Sequence, residues 1–416
     1  MSVSYNLPNE MLEKIFNFCD VYTLSQISMV CIQFNNVAKY ILKKKSEHLL
    51  VTNQKSEKFC ERCKPLLSLY QNSIFIINYN WIHKECKRRQ IYKIKNVKKI
   101  YLEQRHFYYF QYKNRSVQMT KNIVWFFCQG EILAFKRAEN GTIKKGNILK
   151  TDKAFIETFA HCDNYIISGD REGIINRWEI KDNQNDFLFK RLKIHNVHYN
   201  IDQIDATSQH IITSSEHSIK ILKYTDDRKG CTVENEIFCG DTNYIQSILF
   251  DPIGTKFAAT LDYYSDSSFK YSFLIYDIDK SCQVININID YSCHQILWED
   301  PYTILMNYGD SIKKMDLRTS EIVRTWDSSK YGFHTFCCSS DNMNTFMTGC
   351  QKSVLWDQRQ SVAIQTYDVD GSDIYHLEFD STHMYATTGE CLFELDFTNK
   401  NHFNHKKIKT FFGNFY

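Results

Sequence analysis

Two pairs of potential metal ligands stand out among the residues that could do chemistry. Cys60-x2-Cys63 is followed, after the spacer 64–82, by His83-x2-Cys86, and thiolates and an imidazole so spaced could close a tetrahedral zinc site. Arg62, Lys64 and Lys84 would favour the thiolate form through their charge. Against zinc, H-x2-C is an atypical second pair, and cysteine is frequent throughout, with 15 in 416 residues. No metal or other cofactor is therefore expected. The carboxylate pairs Glu299-Asp300 and Asp277 with Asp279 are of a type that divides acid and base roles, but at strand ends of a repeat they read as turn and surface acids. No G-x-x-x-x-G-K-[ST], G-x-S-x-G or H-E-x-x-H occurs. Phosphate cradle, nucleophile elbow and zinc-protease helix are all missing, so the chain is not expected to be an enzyme.

The composition, 43% hydrophobic, 15% aromatic and 24% charged, is that of a chain with real cores and excludes wholesale disorder. Mean hydropathy is −0.43, and apolar runs such as Ile74–Ile77 are far shorter than the roughly 20 residues a bilayer needs. No membrane association is expected. The first residues show no basic stretch leading into an apolar core, so a cytoplasmic or nuclear location is expected, with the cysteines as reduced, mostly buried thiols. In Cys337-Cys338, strand neighbours on opposite faces, one is expected in the core and one at the surface.

The net charge of +3 conceals an asymmetry. Residues 39–121 hold 20 of the 51 Lys and Arg but five of the 48 acids, leaving 31 basic against 43 acidic residues elsewhere. Such a stretch suits nucleic acid or an acidic partner. It shows no aromatic and basic alternation of a nucleic-acid module, so it reads as a solvated connector and nucleic acid is not an expected partner.

Before it, Pro8 fits a first helical turn, and Leu12, Ile15, Phe16 and Cys19 share one helical face. After a break at Asp20–Thr23, where Asp20 or Thr23 could cap, a second helix would align Leu24, Ile27, Val30, Cys31 and Phe34, extended by Val37, Ala38, Ile41 and Leu42. About forty residues cannot bury so many large side chains among themselves, so part of this surface must meet something else.

From about residue 114 the period changes to two. A strand recurs with Phe135, Trp178, Leu222, Tyr276, Met315, Trp356 and Leu395 in equivalent positions, the widest interval falling between Leu222 and Tyr276. The mean spacing of about 43 residues matches one four-stranded propeller blade. Seven copies predict seven blades, with an exposed loop insertion near Thr260–Lys270 in the long interval. Closing such a ring needs a strand from the far terminus, and His106–Tyr112 is the candidate.

Leu7-Pro8-Asn9-Glu10, Ile15-Phe16, Leu24, Val30-Cys31 and Phe34 resemble an F-box, with Cys19 where that family usually has leucine. Ser168 to Trp178 and Val354-Leu355-Trp356-Asp357 resemble WD repeats, although many blades lack the family's Gly-His and Trp-Asp pairs, so closure is expected to lean on apolar packing. Within F-box/WD-repeat proteins the likeness is to the dactylin type, resting on Asn80-Trp81 with Cys86, on Leu355 to Gln360, and on Met384-Tyr385-Ala386 with Leu395-Asp396-Phe397. This implies that Trp81 and Cys86 are structural.

The resemblance implies a mainly β chain, a seven-bladed WD-repeat propeller behind a small helical F-box. The expected divisions are F-box helices at 4–45, a basic and partly helical linker at 46–105, the propeller at 106–400 with 106–113 as closing strand, and a tail at 401–416. It also implies a non-catalytic substrate receptor of an SCF-type cullin-RING ubiquitin ligase. Leu7, Pro8, Ile15, Phe16, Leu24, Val30, Cys31 and Phe34 would then dock on a Skp-family adaptor that brings cullin and RING subunits, while the propeller holds a protein substrate. The alternative is a propeller scaffold that assembles a complex without directing ubiquitination. Arg171, Arg177, Lys220 and Arg318 are scattered through the repeats, and the acidic propeller does not favour a phosphate-reading pocket.

Overall fold

A computed structural model describes residues 7–46, 71–93 and 116–398, the last apart from short stretches between strands. Four helices come first among the described residues: α1 (Asn9–Asn17), α2 (Val21–Ile27), α3 (Ile32–Ser46) and α4 (Gln71–His83). Asp20 caps α2, its carboxylate accepting from the Thr23 backbone N–H at 2.6 Å, which satisfies one of the donors a helix start leaves open. The single second helix expected from Leu24 onward is instead two, because the chain turns at Ser28–Val30 and restarts at Ile32. Val30 and Cys31 thus lie in a turn. Leu12, Phe16, Val21, Leu24, Val37, Ala38, Ile41 and Leu42 form one small core, completed by Phe75 of α4.

Seven four-stranded antiparallel sheets follow, at 117–149, 156–196, 203–238, 243–289, 295–327, 337–367 and 374–396, the last taking its fourth strand from Lys87–Lys93. They are blades 1 to 7 of a closed propeller. Each of the seven recurrent residues lies on the third strand of its blade. Close to it the third and fourth strands slip register, as between Leu133 and Phe135, Ile221 and Leu222, and Leu355 and Trp356. A bulge sharpens local twist, and its recurrence gives the blades a common outer edge. In the hairpin Asp170–Ile174 of blade 2, Gly173 takes φ 78°, a conformation glycine adopts without a Cβ clash, while Asp170 accepts from the backbone N–H groups of Glu172 and Ile174.

Closure departs from expectation in its strand. Lys87–Lys93, in the stretch read as linker, pairs with Cys391–Asp396; the 106–113 candidate lies outside the described residues, as does the tail at 401–416. The reason is spatial: α4 already docks on blade 7, so the strand that follows it directly is delivered to the open edge. The long interval in blade 4 is filled by longer strands, Lys256–Ser265 and Ser268–Asp277, paired to their tip, and not by a loop. Cys337 and Cys338 are both buried, because the inner strand of blade 6 is covered on both faces.

The polar bracing is also richer than the missing Gly-His pairs suggest. Trp178 donates to Ser168 and Trp356 to Thr348, both at 2.9 Å. Three glutamines on inner strands clip the inner strand of the next blade. Gln118 donates to the Phe159 carbonyl and accepts from His161 N–H. Gln203 bridges to the Gln246 carbonyl and Ile248 N–H, and Gln295 to both backbone groups of Cys338. A side-chain amide has the donor and acceptor of a peptide group, so each glutamine acts as a substitute rung between blades.

Candidate functional site

The F-box helices divide their apolar side chains between two directions. Phe16 (4% exposed) and Leu24 (0%) lie inside the helical core, and Phe34, half-buried, meets Phe16 edge-on at 5.2 Å between ring centroids. Ile15 (48%) and Val30 (68%) face outward, with Leu7, Pro8 and Cys31 also exposed. Gln33 donates to the Leu7 carbonyl at 2.8 Å and to Asn9 Oδ1 at 3.0 Å, tying the entry to α1 against the start of α3. Leu7 and the Met29–Ile32 turn are thereby held on the same side. Of the eight residues expected to dock, five are on this open surface and three hold the domain together from within.

Sequence reasoning passed over Met11, Phe18, Met29 and Ile32, all exposed. A signal for two of them was present: Leu7, Met11, Ile15 and Phe18 recur at i, i+4, i+8 and i+11, a second helical stripe beside the buried one. Fully covering one such side chain is worth about 1.5–3 kcal/mol. This surface can therefore supply substantial affinity to an apolar groove.

α4 tethers this unit to the ring. Trp81 donates to the Ser381 carbonyl at 2.8 Å and stacks on Phe397 at 3.6 Å. Asn80 donates to the Phe397 carbonyl and Tyr367 to the Trp81 carbonyl. Cys86 packs into the same cluster, and burial pushes its thiol up to about 11. His83 is exposed beside the Tyr79 ring. Cys60 and Cys63 lie outside the described residues, among which no group of three or more His, Cys, Asp or Glu could hold a metal. The half of the candidate zinc set that is described is thus divided between an apolar core and the surface.

The carboxylates separate as well. Glu299, expected at the surface, is buried, and it holds Lys314 Nζ at 2.6 Å with Ser340 and Gln358 as further partners. Burial raises its pKa and the Lys314 charge opposes that rise. The group brackets blades 5 and 6, a structural duty. Asp300 accepts from Tyr302 N–H and Thr303 Oγ1, and Asp277 accepts from Lys280 N–H, as turn acids do.

The propeller encloses a channel of about 960 Å³ lined by the inner strands of all seven blades. None of the four basic residues singled out lines it. Arg171 pairs with Glu157 at a hairpin tip, Arg177 is buried over the Tyr165 ring, Lys220 lies over Tyr199, and Arg318 pairs with Asp316. They do not converge.

Residues 5–46 match the F-box domain family. The F-box/WD repeat-containing protein 4 of Mus musculus is 26% identical over 139 residues, covering 30% of this chain and 34% of that protein. That of Homo sapiens is 28% identical over 114 residues, covering 25% and 27%. The chain thus aligns with about a third or less of the length of these curated relatives. A chain of the crystal structure of the Mitotic Checkpoint Complex superposes with a TM-score of 0.54 at 11% identity, over 68% of this chain and 87% of that one. The WD40 beta propeller domain of Doa1 does so at 0.52 and 10% identity, over 76% and 99%. These two likenesses are of fold alone. The chain thus carries an F-box domain followed by a seven-bladed β-propeller with the fold of WD40 propellers.

Proposed function

We propose that the chain is the substrate-recognition subunit of an SCF-type cullin-RING ubiquitin ligase, of the dactylin type, acting in the cytoplasm or nucleus. The F-box docks on a Skp-family adaptor, through which cullin and RING subunits are reached, and the propeller holds the substrate. The chain contributes no catalytic residue. The observation that carries this reading is the outward apolar surface of Leu7, Met11, Ile15, Met29, Val30 and Ile32 on a helical unit whose own core is already filled. Such a surface is what a helix-in-groove partner covers. The tether through Asn80, Trp81 and Cys86, residues on which the dactylin likeness rests, supports the finer assignment.

The test is co-purification of the full-length chain with a Skp-family adaptor, comparing the parent with Ile15→Asp/Val30→Asp. Both positions are exposed, so thermal melting should be unchanged while adaptor affinity falls at least tenfold. A parent chain that retains no adaptor, or a variant that retains it undiminished, would replace this reading with that of a scaffold.

A further inference from the structure

The propeller has two chemically different ends. At one, which we call the upper end, lie the turns joining successive blades and the hairpins between second and third strands. At the other lie the remaining turns, among them Asp380–Thr382, where α4 is held through Ser381. Seven aromatic residues of the described propeller are exposed, and six of them, Phe155, Tyr199, Phe238, Tyr244, Phe269 and Tyr291, lie at the upper end of blades 2 to 5; the seventh, Tyr302, is at the other end. They occupy four consecutive inter-blade turns plus the long hairpin of blade 4, which carries Phe269. Soluble surfaces rarely gather rings in this way without a partner.

The charge around the arc selects the partner. Arg171 is engaged by Glu157 and lies over Phe155, Lys220 by Glu236 and Tyr199, and Lys313 lies over Tyr291 and Tyr308. Exposed carboxylates stand at the same end, Asp290 beside Tyr291 and Glu172 and Asp310 in the hairpins of blades 2 and 5, with Lys270 on the hairpin of blade 4. The described lining of the channel below contains Glu157, Asp202, Asp205, Asp251 and Glu378 and no Lys or Arg. Resting on the substrate-receptor reading, we infer that the arc binds an unphosphorylated substrate segment with aromatic or aliphatic anchors flanked by Lys or Arg. The anchors would lie among the rings and the flanking cations over ring faces and carboxylates.

A displayed library of short random peptides is selected on the full-length chain, and its consensus is synthesised with a fluorescent label. The expected consensus is apolar and basic. Its affinity should fall at least tenfold in Tyr244→Ser/Phe269→Ser, with melting unchanged, and when phosphoserine replaces its basic residues. An acidic consensus, tighter binding of the phosphorylated peptide, unchanged affinity in the variant, or no enriched sequence would overturn the inference. Adaptor co-purification of the same variant separates the two readings: adaptor retained without peptide binding removes the arc alone, whereas peptide binding without adaptor removes the ligase role.

Discussion

Asp380 and Arg137 lock the first blade to the last, and neutralising Asp380 should loosen the ring there. Both side chains are almost fully buried. Arg137 donates to Asp380 and, at 3.0 Å, to the Thr120 carbonyl, while Asp380 also accepts from Thr382 N–H at 2.7 Å, Thr382 Oγ1 at 2.8 Å and His383 N–H at 2.8 Å. Burial on its own would raise the carboxyl; the Arg137 and His383 charges and the Thr382 hydrogen bonds outweigh it and hold it at about 2, against an ordinary 3.8. At about 1.4 kcal/mol per pH unit that difference is worth about 2 kcal/mol. Because the folded value is the lower one, this stabilisation is complete above pH ~4 and fades as pH falls toward 2. Asp380→Asn leaves a buried guanidinium without its counter-charge, a loss of about 3–5 kcal/mol at pH 7. Arg137→Met/Asp380→Asn should recover part of it. Urea unfolding of the three proteins from neutral pH down to pH ~2.5 measures this, and the parent–variant gap should narrow by about 1.5 kcal/mol at the acid end. A variant as stable as the parent at pH 7, or a gap that does not change with pH, would refute the reasoning.

Gln203→Leu should cost about 1–3 kcal/mol, since it strands two inter-blade backbone groups, and should speed hydrogen exchange at the Ile248 amide specifically, as read by NMR or mass spectrometry. Trp81→Ala removes a fully buried indole stacked on Phe397, a loss of about 3–5 kcal/mol in chemical denaturation, and should release α4 from blade 7 while leaving the other blades protected in exchange experiments. Alkylation at pH 8 should label the exposed Cys31 and Cys282 first and Cys86 slowly, its thiol being held up near 11, with Cys337 and Cys338 protected until denaturation; peptide mapping by mass spectrometry gives the order. Phe16→Asp/Leu24→Asp, in contrast to the outward pair, should unfold the helical unit, seen as lost helical circular dichroism.

The blades were legible because a four-stranded unit repeats its third-strand apolar residue wherever that strand must bury one face, and even Met315 and Leu395 keep the spacing without the signature tryptophan. Which strand closes the ring was not legible. Lys87–Lys93 is rich in charge, and its role follows from where α4 delivers the chain, a tertiary fact with no local trace. The glutamine clips were hidden for a related reason: Gln118, Gln203 and Gln295 read as ordinary polar residues of alternating strands, and only the neighbouring blade turns them into backbone substitutes.

The F-box shows the complementary limit. Helical spacing identifies which residues share a face, but two apolar stripes run along α1, and period alone assigns neither to the inside. Packing decides: Leu12 and Phe16 meet α2, α3 and Phe75 of α4, so the stripe of Leu7, Met11, Ile15 and Phe18 is left outward. A helix well beyond the F-box in sequence thus sets which of its faces remains available. By anchoring on Ser381 and Phe397, that same helix also places the helical unit at the end of blade 7 remote from the aromatic arc. A partner covering the outward stripe and one covering the arc would then be bound at separate ends of a rigid ring, and neither would need to displace the other.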